Sequence, residues 1–364
     1  MKVKTRKATM TNKERIEALL RREKPDRVPH WPAQNQNFVA VYSGGGSVAD
    51  QYTRDPKKWY QAEKKASQDF DWVFTPSFNG RRGLGGAFGG VSKLPTNKYS
   101  QAAYVVKFAA DTAEEVMALK KPDVKKIADI ASLKAFYKLT SQEELENKPF
   151  NLSIGGLGIT NTAAGIAGYD NLCKWMIQKP EIAHRLLRLA TDYNIEQTQY
   201  YRDIFGVDRV LPTGANAASS NQLISPKHFE QFALPYLKEA HQKVLAMGFK
   251  HICQHICGDH NLNLPYWQQI PMGDPGIVSV ANEIDLETAA KYFPKDIIEG
   301  NLDTTIIQNG TPEEVYQAAR KVIEQGKSLA NGFILRPACQ IPPYASVENI
   351  MAITRALNDF GWYD

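Results

Sequence analysis

Short apolar runs alternate with longer amphipathic ones from residue 26 onward. Eight short runs read as strands: DRVPHW (26–31), FDWVFTP (70–76), NLSIGG (151–156), DRVLPTG (208–214), FKHICQHI (249–256), GIVSVA (276–281), DIIEGNL (296–302) and GFILRPA (332–338). They are rich in β-branched or aromatic residues, and most are bounded by Gly, Pro, Asn or Asp. Between them lie helix patterns. TNKERIEALLRRE (11–23) opens on Thr11 with Glu14 three residues on, a capping box. ISPKHFEQFALPYLKEAHQKVLAMG (224–248) has Ser225 as cap, Pro226 at the first helical position and Gly248 past the end. TPEEVYQAARKVIEQG (311–326) and SVENIMAITRALNDFG (346–361) repeat this grammar. Strands alternating with helices predict βαβ units on a parallel sheet. Eight of them predict an α/β fold of the (β/α)8 TIM-barrel type, in one domain spanning 1–364 with an N-terminal helical extension.

Residues 77–150 are too long for one strand-to-helix connection and read as an insertion after the second strand. They hold the glycine-rich run NGRRGLGGAFGG (79–90) and a helix around Ala113–Lys120. GLGGAF (83–88) fails the last position of a dinucleotide-binding fingerprint, and no amphipathic helix starts there, so a hairpin or loop is expected. Residues 1–10 are expected to be flexible.

Composition narrows the class. The formal charge is +5, with Lys and Arg scattered among Asp and Glu, which predicts solvated faces and no nucleic-acid partner. The basic start MKVKTRKATM is followed by no apolar stretch and is not read as a secretory signal. No apolar run is long enough for a membrane span. Four cysteines in a chain of this length predict a reducing, cytoplasmic setting, where clustered thiols are metal ligands or catalytic groups more often than disulfides.

Two of the four cysteines and three of the seven histidines fall in HICQHICGDH (251–260). On a strand, His251, Cys253, His255 and Cys257 share one face. Only His255 and Cys257 reach the C-terminal end, where barrel sites sit. A His-x-Cys pair suits zinc, and Cys339 in RPACQIPP, just past the last strand, is the best third ligand. Two sulfurs and one nitrogen leave a fourth position free, the pattern of a catalytic zinc. Glu283, past the sixth strand, is a candidate displaceable fourth ligand. The alternative is buried cysteine with hydrogen-bonded histidine, and Cys173, in the helix pattern DNLCKWM, is read as core.

Several stretches taken together carry a resemblance: ERIEALLRREKPDRVPHWP (14–32), SPKHFEQFALPYLKEA (225–240), HICGD (255–259), IIEGNLDTTIIQNGTPEEV (297–315) and GFILRPACQIPPYASVENI (332–350). The chain resembles the uroporphyrinogen decarboxylase superfamily nearly end to end. The resemblance implies a (β/α)8 barrel and one of two branches, decarboxylases or corrinoid-dependent methyltransferases that carry zinc. The decarboxylases place arginines just after the first strand to pair with substrate carboxylates. HWPAQNQNFVAVYSGGG (30–46) has none, and LPTGANAASS (211–220) lacks the aspartate of their middle strand. The methyltransferase branch implies His255, Cys257 and Cys339 as zinc ligands. It favours His255 over His251, because Gly258 follows Cys257 as in the family, and leaves His251 and Cys253 without a role.

Such a zinc would activate a substrate thiol, as in relatives resembling coenzyme M methyltransferases, or act on the oxygen of a methyl ether. The sequence reading favours O-demethylation of a methoxylated aromatic. Trp31, Gln34, Asn35, Gln36, Asn37, Phe38 and Tyr42 would wall a neutral aromatic ligand, with ordinary packing as the alternative. Arg81 and Arg82 would serve an anionic thiol instead. Asn301 and Asp303 in GNLD would orient substrate or metal ligands, or else form a turn and a helix cap. The chain has no D-x-H-x-x-G segment of the kind that holds cobalamin in its carriers, so the corrinoid is expected on a separate protein, docking transiently over the barrel mouth.

Overall fold

The capping box at Thr11 forms as expected. Thr11 Oγ1 accepts from the Glu14 N–H at 3.2 Å, Glu14 Oε2 accepts from the Thr11 N–H at 2.7 Å, and the helix runs Asn12–Leu20. The computed structural model describes residues 8–32, 36–45, 55–78, 85–93, 103–127 and 129–364. The expected helices at 311–326 and 346–361 appear as Pro312–Lys327 and Val347–Phe360, capped by Thr311 and Ser346. The expected helix over 224–248 is interrupted. Pro235 has no N–H to return to the preceding turn, and the chain widens into a π-turn at Phe229–Ala233 before the helix resumes as Leu234–Ala246.

Within the 77–150 segment, strands β1 (Val91–Lys93) and β2 (Tyr104–Lys107) form an antiparallel pair. They are followed by helices Ala113–Ala118, Val124–Ile127 and Ile130–Gln142. Gly85 fixes where this segment meets the body. Its φ is +75°, and a Cβ there would lie 2.0 Å from the Gly165 carbonyl oxygen, an approach only glycine permits. Residues 79–84 of the glycine-rich run lie outside the described residues.

The main sheet has six parallel strands in sequence order: β3 (Leu152–Ile154), β4 (Val210–Ala215), β5 (Cys253–Ile256), β6 (Ile277–Val280), β7 (Ile297–Leu302) and β8 (Phe333–Pro337). The first two expected strands, 26–31 and 70–76, make isolated bonds in place of regular ladders. Trp31 N–H donates to Leu335 O and Leu335 N–H to Pro29 O, both at 2.9 Å; Val73 N–H donates to His30 O at 2.7 Å, and Ser153 N–H to Pro76 O at 2.8 Å. Pro29, Pro32 and Pro76 bring no N–H, which keeps these runs from continuous pairing.

Two cores lie on the two faces of the strands. On one face Val278, Ile298, Phe333 and Leu335 pack among the helices. On the other, Leu211, Cys253, Ile277, Ile297 and Ile334 meet Trp31, Val73 and Phe150, together with Ile16 and Leu19 of the first helix. The N-terminal helix is therefore a floor under the inner face. Of the start expected to be flexible, Thr9 and Met10 are tied down by N–H donation to Asp26 Oδ2 at 2.8 and 3.0 Å, and residues 1–7 lie outside the described residues. Among the described residues no helix is long and apolar enough to cross a membrane.

Candidate metal centre

Strand β5 carries CQHI, and its alternation points Cys253 and His255 to the inner face. Gly258, at φ +86°, turns the chain directly after Cys257. Cys339 follows β8 at the same end of the sheet. The ligand atoms of His255, Cys257 and Cys339 all lie within 4.8 Å of one another, and the two sulfurs are 3.9 Å apart. Two sulfurs on one tetrahedral zinc stand about 3.8 Å apart. His255 is 2% exposed, and its Nδ1 lies 3.0 Å from Ser279 Oγ. Its buried Nε2 has no hydrogen-bond partner among the described residues, as a nitrogen reserved for a metal would. The donor set and its spacing fit a zinc ion.

Electrostatics agree. A hydrogen bond from the Cys257 thiol, with His255 alongside, pulls Cys339 down to about 3, and the same bond holds Cys257 far above the ordinary thiol range. A divalent cation held there would take both sulfurs as thiolates. Burial lowers His255, keeping the ring neutral and able to ligate.

The upstream pair does other work. His251 is half-buried at the far end of the strand, with Nδ1 2.7 Å from Pro275 O. Cys253 is part of the inner core and donates to Glu299 Oε2 at 3.8 Å. Cys173 is half-buried in the helix Tyr169–Gln178 and packs on the helical core. Glu283 is exposed, accepts from Gln222 Nε2 at 3.5 Å, and stands outside the three-residue cluster.

The expected substrate loop is largely occupied by packing. Trp31 is 2% exposed and stacks on Phe150, at 6.0 Å between centroids. Phe38, also 2% exposed, stacks on Tyr42 and tilts against Phe70 and Trp72. Tyr42 donates to Asp69 at 2.8 Å, and Asn37 is buried. Trp31 and Phe38 are core rings, Phe38 turned onto Phe70 and Trp72 from the helix Gln36–Ala40, while Tyr42 stays half-buried against Phe38 and Phe70. Gln34, Asn35, Arg81 and Arg82 lie outside the described residues. Asn301 donates to Ala281 O at 3.2 Å and Ile284 O at 2.7 Å, fastening the end of β7 to the turn after β6. Asp303 accepts from the Thr305 N–H at 2.7 Å and caps helix Thr304–Asn309.

Three polar residues near the cluster escaped the sequence reading: Ser279 on β6, Glu299 on β7 and Arg336 on β8. Each interrupts an apolar strand at an inward-facing position, with register His255↔Ser279, Ser279↔Glu299 and Asn301↔Arg336. A buried polar residue in an apolar run is the signal that would have found them.

At the strand ends of a parallel α/β sheet, His255, Cys257 and Cys339 thus form a Cys2His cluster that could hold a metal. The description uroporphyrinogen decarboxylase (URO-D) matches residues 11–360, and the chain belongs to that family. Its relatives include uroporphyrinogen decarboxylases, and those matched more strongly are methyltransferases. It is 30% identical over 206 residues to a methylated-thiol–coenzyme M methyltransferase of Methanosarcina mazei, a match covering 54% of this chain and 50% of that one. The chain thus spans half the length of that relative. It is 24% identical to methylcobamide:CoM methyltransferase MtbA of the same organism, covering 96% of this chain and 98% of the relative. A solved methyltransferase from Methanosarcina mazei shares the fold, with TM-score 0.79 and 19% identity over 96% of this chain and 99% of that one.

Proposed function

We propose that the chain is a zinc-dependent methyltransferase that exchanges a methyl group between a small-molecule thiol and the cobalt of a separate corrinoid protein. The observation that carries this is the Cys2His set: two sulfurs 3.9 Å apart and a buried, unpartnered His255 Nε2. We further read the chain as one (β/α)8 barrel, in which the bonds of 29–31 to β8 and of 73–76 to its neighbours complete the ring.

The bound metal would supply a Lewis acid that lowers the pKa of a substrate thiol. The chain's own residues hold the geometry. Ser279 orients the His255 ring so that Nε2 faces the two sulfurs, and Gly258 turns the chain so that Cys257 stands at the strand end. Burial of His255 keeps its ring unprotonated. Asn301 and Asp303 fix the neighbouring loops.

One relative is named for a methylated thiol and coenzyme M, and another for methylcobamide and CoM. The O-demethylation expected from the sequence rested on Trp31, Phe38 and Tyr42, whose rings are used in packing. The thiol reading therefore replaces it as the preferred one.

Elemental analysis tests the site first. The purified protein should hold about one zinc per chain, and Cys257→Ser and Cys339→Ser should each lose it. Zinc retained by both variants would refute the site. Methylation assays with a reduced or methylated corrinoid carrier then test the reaction, read by the cobalt absorption spectrum. Methyl-cobalt should be consumed with thiols and left unchanged without them. Methyl-cobalt formed only with methoxyarenes would restore the ether reading.

A further inference from the structure

Deep on the inner face of the sheet, Arg336 and Glu299 form an ion pair with no access to solvent. Arg336 Nη1 donates to Glu299 Oε2 at 2.6 Å, and the two residues are 1% and 0% exposed. Arg336 Nε and Nη2 and Glu299 Oε1 have no hydrogen-bond partner among the described residues. Removing two charges from water costs several kcal/mol per ion, and a buried pair with unused donors recovers that incompletely. An apolar layer, as in the floor immediately below, would suit stability better. The pair therefore calls for a reason other than folding.

Its orientation supplies one. Arg336 lies three residues before Cys339 on the same strand end, in register with Asn301. Glu299 lies one row deeper, in register with Ser279 and beside the Cys253 thiol. Arg336 thus stands in the row nearer the strand ends that carry Cys257 and Cys339, and Glu299 in the row of His255 and Ser279 with the Cys253 thiol beside it. Guanidinium keeps its charge in any protein setting, so the sign of this field is fixed. A cation set behind two thiolate ligands stabilises their charge in a medium of low dielectric.

We propose that Arg336, seated on Glu299, is a positioning residue that serves as the buried counter-charge of Cys257 and Cys339 and sets how tightly they hold the metal. This rests on the metal site proposed above. Groups behind a metal's ligands commonly change affinity by about 10- to 100-fold.

The test is zinc affinity by chelator competition at constant pH, with cobalt(II) in place of zinc for spectroscopy. Arg336→Gln keeps a hydrogen bond to Glu299 but removes the charge. It should weaken zinc binding about ten-fold and move the thiolate-to-cobalt charge-transfer band to longer wavelength. Arg336→Lys should restore most of both. Glu299→Gln leaves the cation uncompensated and should tighten binding and move the band the opposite way. A structural role cannot produce opposite signs from the two halves of one ion pair. Equal weakening by Arg336→Gln and Glu299→Gln, or no change in either, overturns the proposal. If Arg336→Gln does not fold, Glu299→Gln decides alone: tighter binding supports, unchanged or weaker binding refutes. A wild-type protein that binds no zinc would be a different failure, that of the metal site itself.

Discussion

Ser279 shows how one hydroxyl sets a ligand's aim. With Ser279 Oγ 3.0 Å from His255 Nδ1, the ring is held with Nε2 inward. Ser279→Ala should leave the fold intact and weaken zinc binding about ten-fold, measured by chelator competition; unchanged affinity would mean that packing alone aims the ring. At this scale the sequence was legible where chemistry is rare. Four cysteines and seven histidines leave few ways to assemble a soft ligand set, and His255, Cys257 and Cys339 do come together. It was less legible where chemistry is common. Trp31 and Phe38 look alike as pocket walls or as core, and burial decided for core. Ser279, Glu299 and Arg336 were hidden because a single polar residue in a short apolar strand reads as a strand imperfection until its facing is known.

Elements were read best where their ends are written in side-chain chemistry. Thr311 Oγ1 accepts from the Glu314 N–H at 3.3 Å, and Glu314 Oε2 accepts from the Thr311 N–H at 2.7 Å, so helix Pro312–Lys327 starts where the sequence places it. Thr311→Ala should cost about 1 kcal/mol, seen as a lower urea midpoint with an unchanged slope. A midpoint equal to wild type would show that packing against the neighbouring helix already fixes this end. The break at Phe229–Ala233 was missed because periodicity runs through it; Pro235, which forces the wider turn, sits among good helix formers. The first two expected strands were right in place but not in regularity, because their prolines remove the donors that a ladder needs.

For the whole molecule, buried histidines set the limits of acid tolerance. Burial lowers His241 to about 4 and His30 to about 3. The unfolded chain takes up those protons near the ordinary value of about 6.5, while the folded chain refuses them. Stability is therefore full above that value and falls as pH drops toward 4, by up to about 1.4 kcal/mol per pH unit for each ring. Thermal unfolding should show a midpoint that declines between pH 7 and pH 5; a flat midpoint would mean that these rings are protonated in the native state.

The helix Asn12–Leu20 has a consequence for traffic. Ile16 and Leu19 close the inner face of the described strands from beneath, so under the proposed function thiol and corrinoid carrier would reach the cluster from the same side. Whichever arrives first stands in the other's path. On that reading the small molecule would go in before the carrier covers the opening and leave after it departs, and turnover would become a queue. Initial rates should then fall at high carrier concentration, and more thiol should relieve the blockage; rates that rise to a plateau at every thiol level would mean a second way in.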